Sequence, residues 1–94
     1  MRAYEMIYII KPLEEEATTA VVDKFKALIE NNGGEIVKLD KWGKRKLAYE
    51  IDDFKDGFYV LCKYKGTAAV TQELDRVLKI TDEVIKHLIL KEEE

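Results

Sequence analysis

Lys41-Trp42-Gly43-Lys44-Arg45-Lys46-Leu47-Ala48-Tyr49-Glu50-Ile51 leads through Asp53-Phe54-Lys55-Asp56-Gly57 into Phe58-Tyr59-Val60-Leu61-Cys62-Lys63-Tyr64-Lys65. In the first run Leu47, Tyr49 and Ile51 alternate with polar residues, the period of a strand with one buried face. The last run, Phe58 to Lys65, is almost continuously apolar or aromatic, which suits a strand covered on both sides. A short turn containing glycine between two such runs predicts an antiparallel hairpin. Extended character continues back to Glu35, so the first arm reaches from Glu35 to about Asp52. At about 3.3 Å per residue it would span roughly 55 Å, longer than ordinary strands, and something must bend it. Gly43 is the candidate, because glycine inside a strand pattern marks bulges. Carried straight back, alternation turns Val37 and Leu39 inward; a one-residue bulge selects Ile36 instead, and the pattern leaves both open.

Upstream, residues 2 to 10 read as a strand with Tyr4, Met6, Tyr8 and Ile10 on one face and Ile7 and Ile9 on the other. Lys11-Pro12 stops it, since proline has no N–H for a ladder. A helix follows from about Glu14 to Asn32, with acidic residues in its first turn, where the helix dipole favours them. Its apolar stripe is Ala17, Val21, Phe25, Leu28 and Ile29, and Gly33-Gly34 supplies a left-handed cap. Downstream, Thr67 stands ready to cap a second helix, from about Ala68 to Ile80, whose stripe is Val70, Leu74, Val77 and Leu78. A last strand from Glu83 to Lys91 puts Val84, Leu88 and Leu90 on one face and Ile85, His87 and Ile89 on the other. The acidic end, Glu92 to Glu94, is expected to fray.

The order strand, helix, strand, strand, helix, strand predicts an α+β ferredoxin-like βαββαβ sandwich. Two helices cover one face of a four-stranded antiparallel sheet. Right-handed crossovers place the first and third strands in the centre and the second and fourth at the edges. If Tyr4, Met6 and Tyr8 face the helices, Ile7 and Ile9 face away with Leu88 and Leu90, a patch suited to a partner.

Ninety-four residues make one domain, residues 1–94. The single cysteine, Cys62, cannot form an internal disulfide, which points to a reducing compartment and reads as a small buried hydrophobe. The longest apolar run, Met6 to Ile10, is too short to span a bilayer, so no membrane is expected as partner and the cytosol is the default location. His87 is the only histidine, which removes paired-histidine metal sites, and it reads as a structural residue. The carboxylates fall in helix starts, turns and the tail, and the Lys11-Pro12-Leu13 connection has no glycine to cradle an anion. No catalytic residue, metal, cofactor or small-molecule substrate is therefore expected, and an acylphosphatase-like enzyme is disfavoured.

Four cations in six positions, Lys41 to Lys46, surround Trp42 in a chain of net charge −3. Such a segment suits a phosphate-bearing partner, although charge runs are commonly just solvated surface. Asp56-Gly57-Phe58-Tyr59-Val60 faintly echoes the sheet signature of RNA-recognition motifs. Asp56 has the wrong sign and Val60 replaces a stacking aromatic, so any RNA contact rests on cations and shape. A ferredoxin-like regulatory domain that binds protein or small ligands without nucleic acid is the alternative.

Met1-Arg2-Ala3-Tyr4-Glu5-Met6-Ile7-Tyr8-Ile9-Ile10, Gly43-Lys44-Arg45 with Leu47-Ala48-Tyr49-Glu50-Ile51, Asp56-Gly57-Phe58-Tyr59-Val60 and Asp82-Glu83-Val84-Ile85-Lys86 together resemble the bacterial small-subunit ribosomal protein six family. The departures are Glu50, where many members carry proline, and Asp52, where a basic or neutral residue is commoner. The resemblance implies a non-enzymatic constituent of the small ribosomal subunit. It implies binding of ribosomal RNA at the platform of the central domain, jointly with ribosomal protein eighteen as a heterodimer. A basic partner would let an acidic protein share an RNA site. Matching the motif carries RNA contact to Lys44 and Arg45, with Lys46 and Arg2 added on charge and position. Leu47 and Tyr49 are assigned packing. Trp42, Ile7, Ile9, Leu88 and Leu90 are assigned to the partner.

Overall fold

The central strand must satisfy both faces of the sheet, and its sequence does so by alternating large side chains that are apolar on both sides. The computed structural model describes residues 2–51 and 53–92. The elements are β1 (Arg2–Ile10), α1 (Glu15–Asn31), β2 (Glu35–Ile51), β3 (Phe54–Gly66), α2 (Ala68–Ile80) and β4 (Val84–Lys91). The strands pair antiparallel in the order β2-β3-β1-β4, so β1 and β3 are central as expected. This is the ferredoxin-like arrangement.

One face of β1 (Tyr4, Met6, Tyr8, Ile10) meets Val60, Cys62 and Tyr64 of β3 and the buried stripes of both helices. The Tyr8 and Phe25 rings lie 5.2 Å apart in a tilted pair, and Tyr4 stacks on Tyr64 at 5.3 Å. Tyr64 keeps its hydroxyl satisfied with Thr71 Oγ1 at 2.8 Å, which fastens the start of α2 to β3. At the other end of α2, Thr81 Oγ1 donates to the Val77 carbonyl at 2.6 Å and accepts from Lys24 Nζ of α1 at 3.2 Å.

The stripe of α2 matches expectation, whereas that of α1 is rotated in its first turn. Ala17 is exposed, and Thr18 is buried beside Val21, Val22, Phe25 and Ile29. Thr18 can occupy that position because its hydroxyl donates back to the Glu14 carbonyl at 3.1 Å. Thr67 sits at the start of α2 with extended backbone, but its side chain makes no capping hydrogen bond; its carbonyl accepts from Val70 N–H instead. Gly33 ends α1 at φ +84°, the left-handed conformation anticipated there.

Strand β2 bends at more than one place. Its register against β3 slips between Ile36 and Lys38 and again between Lys41 and Gly43, where φ is +86°. The first slip lets both Ile36 and Leu39 pack on the core and leaves Val37 56% exposed, which settles the choice that alternation left open. Beyond Lys46 the pairing becomes irregular, with Lys46 opposite Asp56 and Ile51 opposite Phe54. Pairing of β1 with β3 ends at Ile10 and Phe58, so the hairpin arm past that point has no central strand beside it. Tyr49, expected in the core, is consequently 63% exposed, and Leu47 and Ile51 are only half-buried. The third strand also begins earlier than expected. Residues 54–57 belong to β3, and Asp53 takes φ +68°, which aspartate tolerates better than most residues.

Strand β4 corrects one further expectation. A register shift beside Ile9 and Ile10 puts Val84 opposite Ile10 and onto the core rather than with Leu88 and Leu90. Just past β4, the Glu92 N–H donates to the Ala3 carbonyl at 2.9 Å, and its carboxylate pairs with Lys63 at 3.6 Å. Glu93 and Glu94 lie outside the described residues.

Ile9 points away from the helices and is still only 6% exposed. It lies against Gly57, where an added Cβ would collide with Ile9 Cγ2 and stand 3.6 Å from Ile85 Cδ1. Gly57→Ala should therefore destabilise the fold by about 1–3 kcal/mol through overpacking. Gly43→Ala, with open space but a left-handed backbone, should cost about 1–2 kcal/mol through conformation alone. Urea unfolding of the two variants checks both.

Candidate nucleic-acid interface

A one-residue bulge decides where the basic run points. Lys41 stands opposite Val60 and Gly43 opposite Tyr59, so Trp42 is the extra residue. After it, Lys44 pairs with Phe58 and Lys46 with Asp56, on the face that carries the helices; Arg45 pairs with Gly57, on the uncovered face. All three are exposed, and among the described residues no carboxylate lies within ion-pairing distance of them. Arg2 is exposed as well but pairs with Gly66, at the far end of β1 from Ile10. Eight strand steps separate those ends, about 25 Å, so Arg2 belongs to a different part of the surface. Glu50 is exposed on the hairpin, and Asp52 lies outside the described residues.

Ile7, Ile9, Tyr59, Leu61, Leu88 and Leu90 form the middle of the uncovered face. Leu88 and Leu90 are large exposed hydrophobics, and Ile7, Ile9, Tyr59 and Leu88 line a shallow depression of about 210 Å³ with Lys86 and His87. Trp42, 40% exposed, stacks on Tyr59 at 6.4 Å, and the Arg45 guanidinium lies 5.5 Å from the Trp42 ring. Lys86 reaches from β4 to the hairpin, donating to Tyr49 Oη at 3.0 Å with its ammonium 5.4 Å from that ring. Trp42, Ile7, Ile9, Leu88 and Leu90 thus share one surface with Arg45. Lys44, Lys46 and Arg2 do not join it.

Sequence reasoning missed Tyr59 and the Tyr49–Lys86 contact. Tyr59 was legible, because it alternates with Phe58 and Val60, which face the helices. The comparison with RNA-recognition motifs is corrected on that point, since Val60 is fully buried and is not a position of the uncovered face. The Tyr49 contact joins the two outer strands and leaves no trace in local pattern.

The remaining reactive groups are engaged. Burial pushes the Cys62 thiol up to about 11, which leaves it unreactive. His87 Nε2 lies 2.9 Å from Asp75 Oδ1, joining β4 to α2 in the structural role expected of it. Asp75 is held below the usual carboxylate range by hydrogen bonds, first from Lys79 and then from His87. No metal-binding cluster occurs among the described residues, and none of their helices is long and apolar enough to cross a membrane. The arrangement described offers a surface for binding.

Residues 3–91 match the family described as ribosomal protein S6. The chain belongs to that family. The small ribosomal subunit protein bS6 of Desulforamulus reducens is 55% identical over 95 residues, covering the whole of both chains. The crystal structure of the 30S ribosomal protein S6 from Thermotoga maritima superposes with a TM-score of 0.92 at 33% identity, covering 97% of this chain and 87% of that one. A C-terminal domain of the MgtC protein from Mycobacterium tuberculosis reaches a TM-score of 0.69 at 15% identity, a likeness of fold alone. The family is one of small ribosomal subunit proteins.

The Tyr49–Lys86 contact has a measurable signature. The hydrogen bond from Lys86, and then its charge, hold the Tyr49 phenol below the ordinary tyrosine range, because both favour the phenolate. Burial raises Tyr8 and Tyr64 instead. In a pH titration followed by ring carbon shifts, Tyr49 should ionise before Tyr8 and Tyr64, and Lys86→Ala should raise its midpoint. An unmoved midpoint would exclude the contact.

Proposed function

We propose that this protein is a non-catalytic structural constituent of the small ribosomal subunit. In that role it binds ribosomal RNA at the platform of the central domain, as a heterodimer with ribosomal protein eighteen, in the cytoplasm. Membership of the family supports the subunit assignment. The observation that carries the binding reading is the pairing of two surfaces on one hairpin: exposed cations with no carboxylate in ion-pairing distance among the described residues on one side, and an apolar, aromatic-edged sheet face on the other. Phosphate attracts the first, through counterion release and charge; the aliphatic middle of the second gains from burial against another protein.

In this reading Lys44 and Lys46 contact phosphate, Arg2 meets RNA separately if the backbone extends along the sheet, and Arg45 stands on the border between the two surfaces. Ile7, Ile9, Leu88, Leu90 and Trp42 meet the partner. The net charge of −3 fits such a division, because a basic partner can contribute most of the phosphate neutralisation.

The test measures affinity for platform RNA against salt, with ribosomal protein eighteen saturating. Lys44→Ala and Lys46→Ala should each weaken binding and reduce the salt slope by about one. A slope unchanged in both variants would remove these residues from the RNA contact, and failure of the wild-type chain to co-sediment with small subunits would remove the reading itself.

A further inference from the structure

The charges on the uncovered sheet face are not distributed evenly. At the end away from the hairpin opposite charges lie together: Lys63 pairs with Glu92 at 3.6 Å and Lys38 with Asp40 at 3.4 Å, and Glu5, Glu35 and Lys65 share that face. At the hairpin end the cations face aromatic rings instead. Arg45 lies over Trp42, which stacks on Tyr59, and Lys86 lies over Tyr49, whose phenol oxygen is its hydrogen-bond partner. Among the described residues, neither cation has a carboxylate within ion-pairing distance. Between the two ends lies the aliphatic floor of Ile7, Ile9, Leu61, Leu88 and Leu90.

We propose that Arg45, with Lys86 beside it, receives a carboxylate carried by an aliphatic segment of the partner protein, and so serves protein recognition rather than phosphate contact. The proposal rests on the reading that a partner protein covers this face. The occupant follows from complementarity. An aliphatic floor offers a nucleotide nothing, whereas a protein segment with leucine- or valine-like side chains buries against it. Such a segment meets mixed charge at one end and, among the described residues, cations without an ion-paired carboxylate at the other, which favours the orientation with its acidic residue at the hairpin. Arginine is the cation suited to that position. It can rest its flat side on the Trp42 ring and still present its N–H edge to a carboxylate. Lys44 and Lys46, one residue to either side, face the opposite way and remain available to phosphate.

Calorimetric titration of the full chain with ribosomal protein eighteen in the absence of RNA tests this, with salt-dependent RNA binding of the saturated heterodimer as the second measurement. Arg45→Gln should weaken the protein complex by about tenfold or more, Arg45→Lys should restore only part of that loss, and Lys44→Gln should leave it within about twofold. In the RNA measurement Lys44→Gln should lower the salt slope by about one while Arg45→Gln leaves it unchanged. An acidic residue of the partner whose amide substitution costs nothing further in the Arg45→Gln background would identify the carboxylate. Intact protein binding by Arg45→Gln together with a reduced RNA slope would overturn the proposal and return Arg45 to phosphate. Equal losses for Arg45→Gln and Lys44→Gln would overturn it too, as the mark of unspecific attraction. Leu88→Asp separates the two levels: if it leaves the protein complex intact, the partner does not use this face and the underlying reading fails. If it breaks the complex while Arg45→Gln does not, only the carboxylate assignment fails. All substituted positions are exposed, and circular dichroism confirms that each variant is folded.

Discussion

The left-handed backbone at Gly43 determines what this protein can touch. A strand without a bulge continues strict alternation, and one extra residue shifts every side chain beyond it to the other face. Here the extra residue is Trp42, and the slip brings Trp42 and Arg45 together on the uncovered face with Tyr59. The same slip sends Lys44 and Lys46 to the helix side. A basic cluster that looks continuous in the sequence becomes two opposed surfaces, each with a distinct chemistry.

That division depends on a rigid sheet beneath the hairpin. Strand β1 is flanked by β3 and β4, its inner side chains fill the core, and its outer ones build the floor of the uncovered face. The helices are held by contacts at both ends of α2, Tyr64 with Thr71 at one end and Thr81 with Lys24 and Val77 at the other. Only the outer part of the hairpin lacks a central strand, and Lys86 reaches it from β4.

Element order, sheet topology, the stripe of α2 and the bulge at Gly43 were legible because each is written in local periodicity or in a residue with unusual backbone freedom. Three features were not. Ile36 and Leu39 both face inward because of a second slip at Val37, where no glycine marks it. Val84 joins the core through a register shift set by its neighbour β1, not by its own sequence. Tyr49 has the alternation of a core residue, but its strand outruns the sheet, and length relative to neighbours is a property of the assembled fold. Of the site, the cations and aliphatic residues could be named from sequence. Their separation into two faces required the register.

The seating of Ile9 against Gly57 bears on the thermodynamics of association. A flat sheet of long aliphatic side chains would be mobile, and fixing each rotamer on binding would reduce affinity. Ile9 is already immobilised against a backbone with no side chain, and Ile85 borders the same notch. Part of the floor is therefore preorganised before any partner arrives, and its ordering entropy is lost during folding rather than during assembly. One missing methyl group at Gly57 thus moves an entropic penalty from the second process to the first.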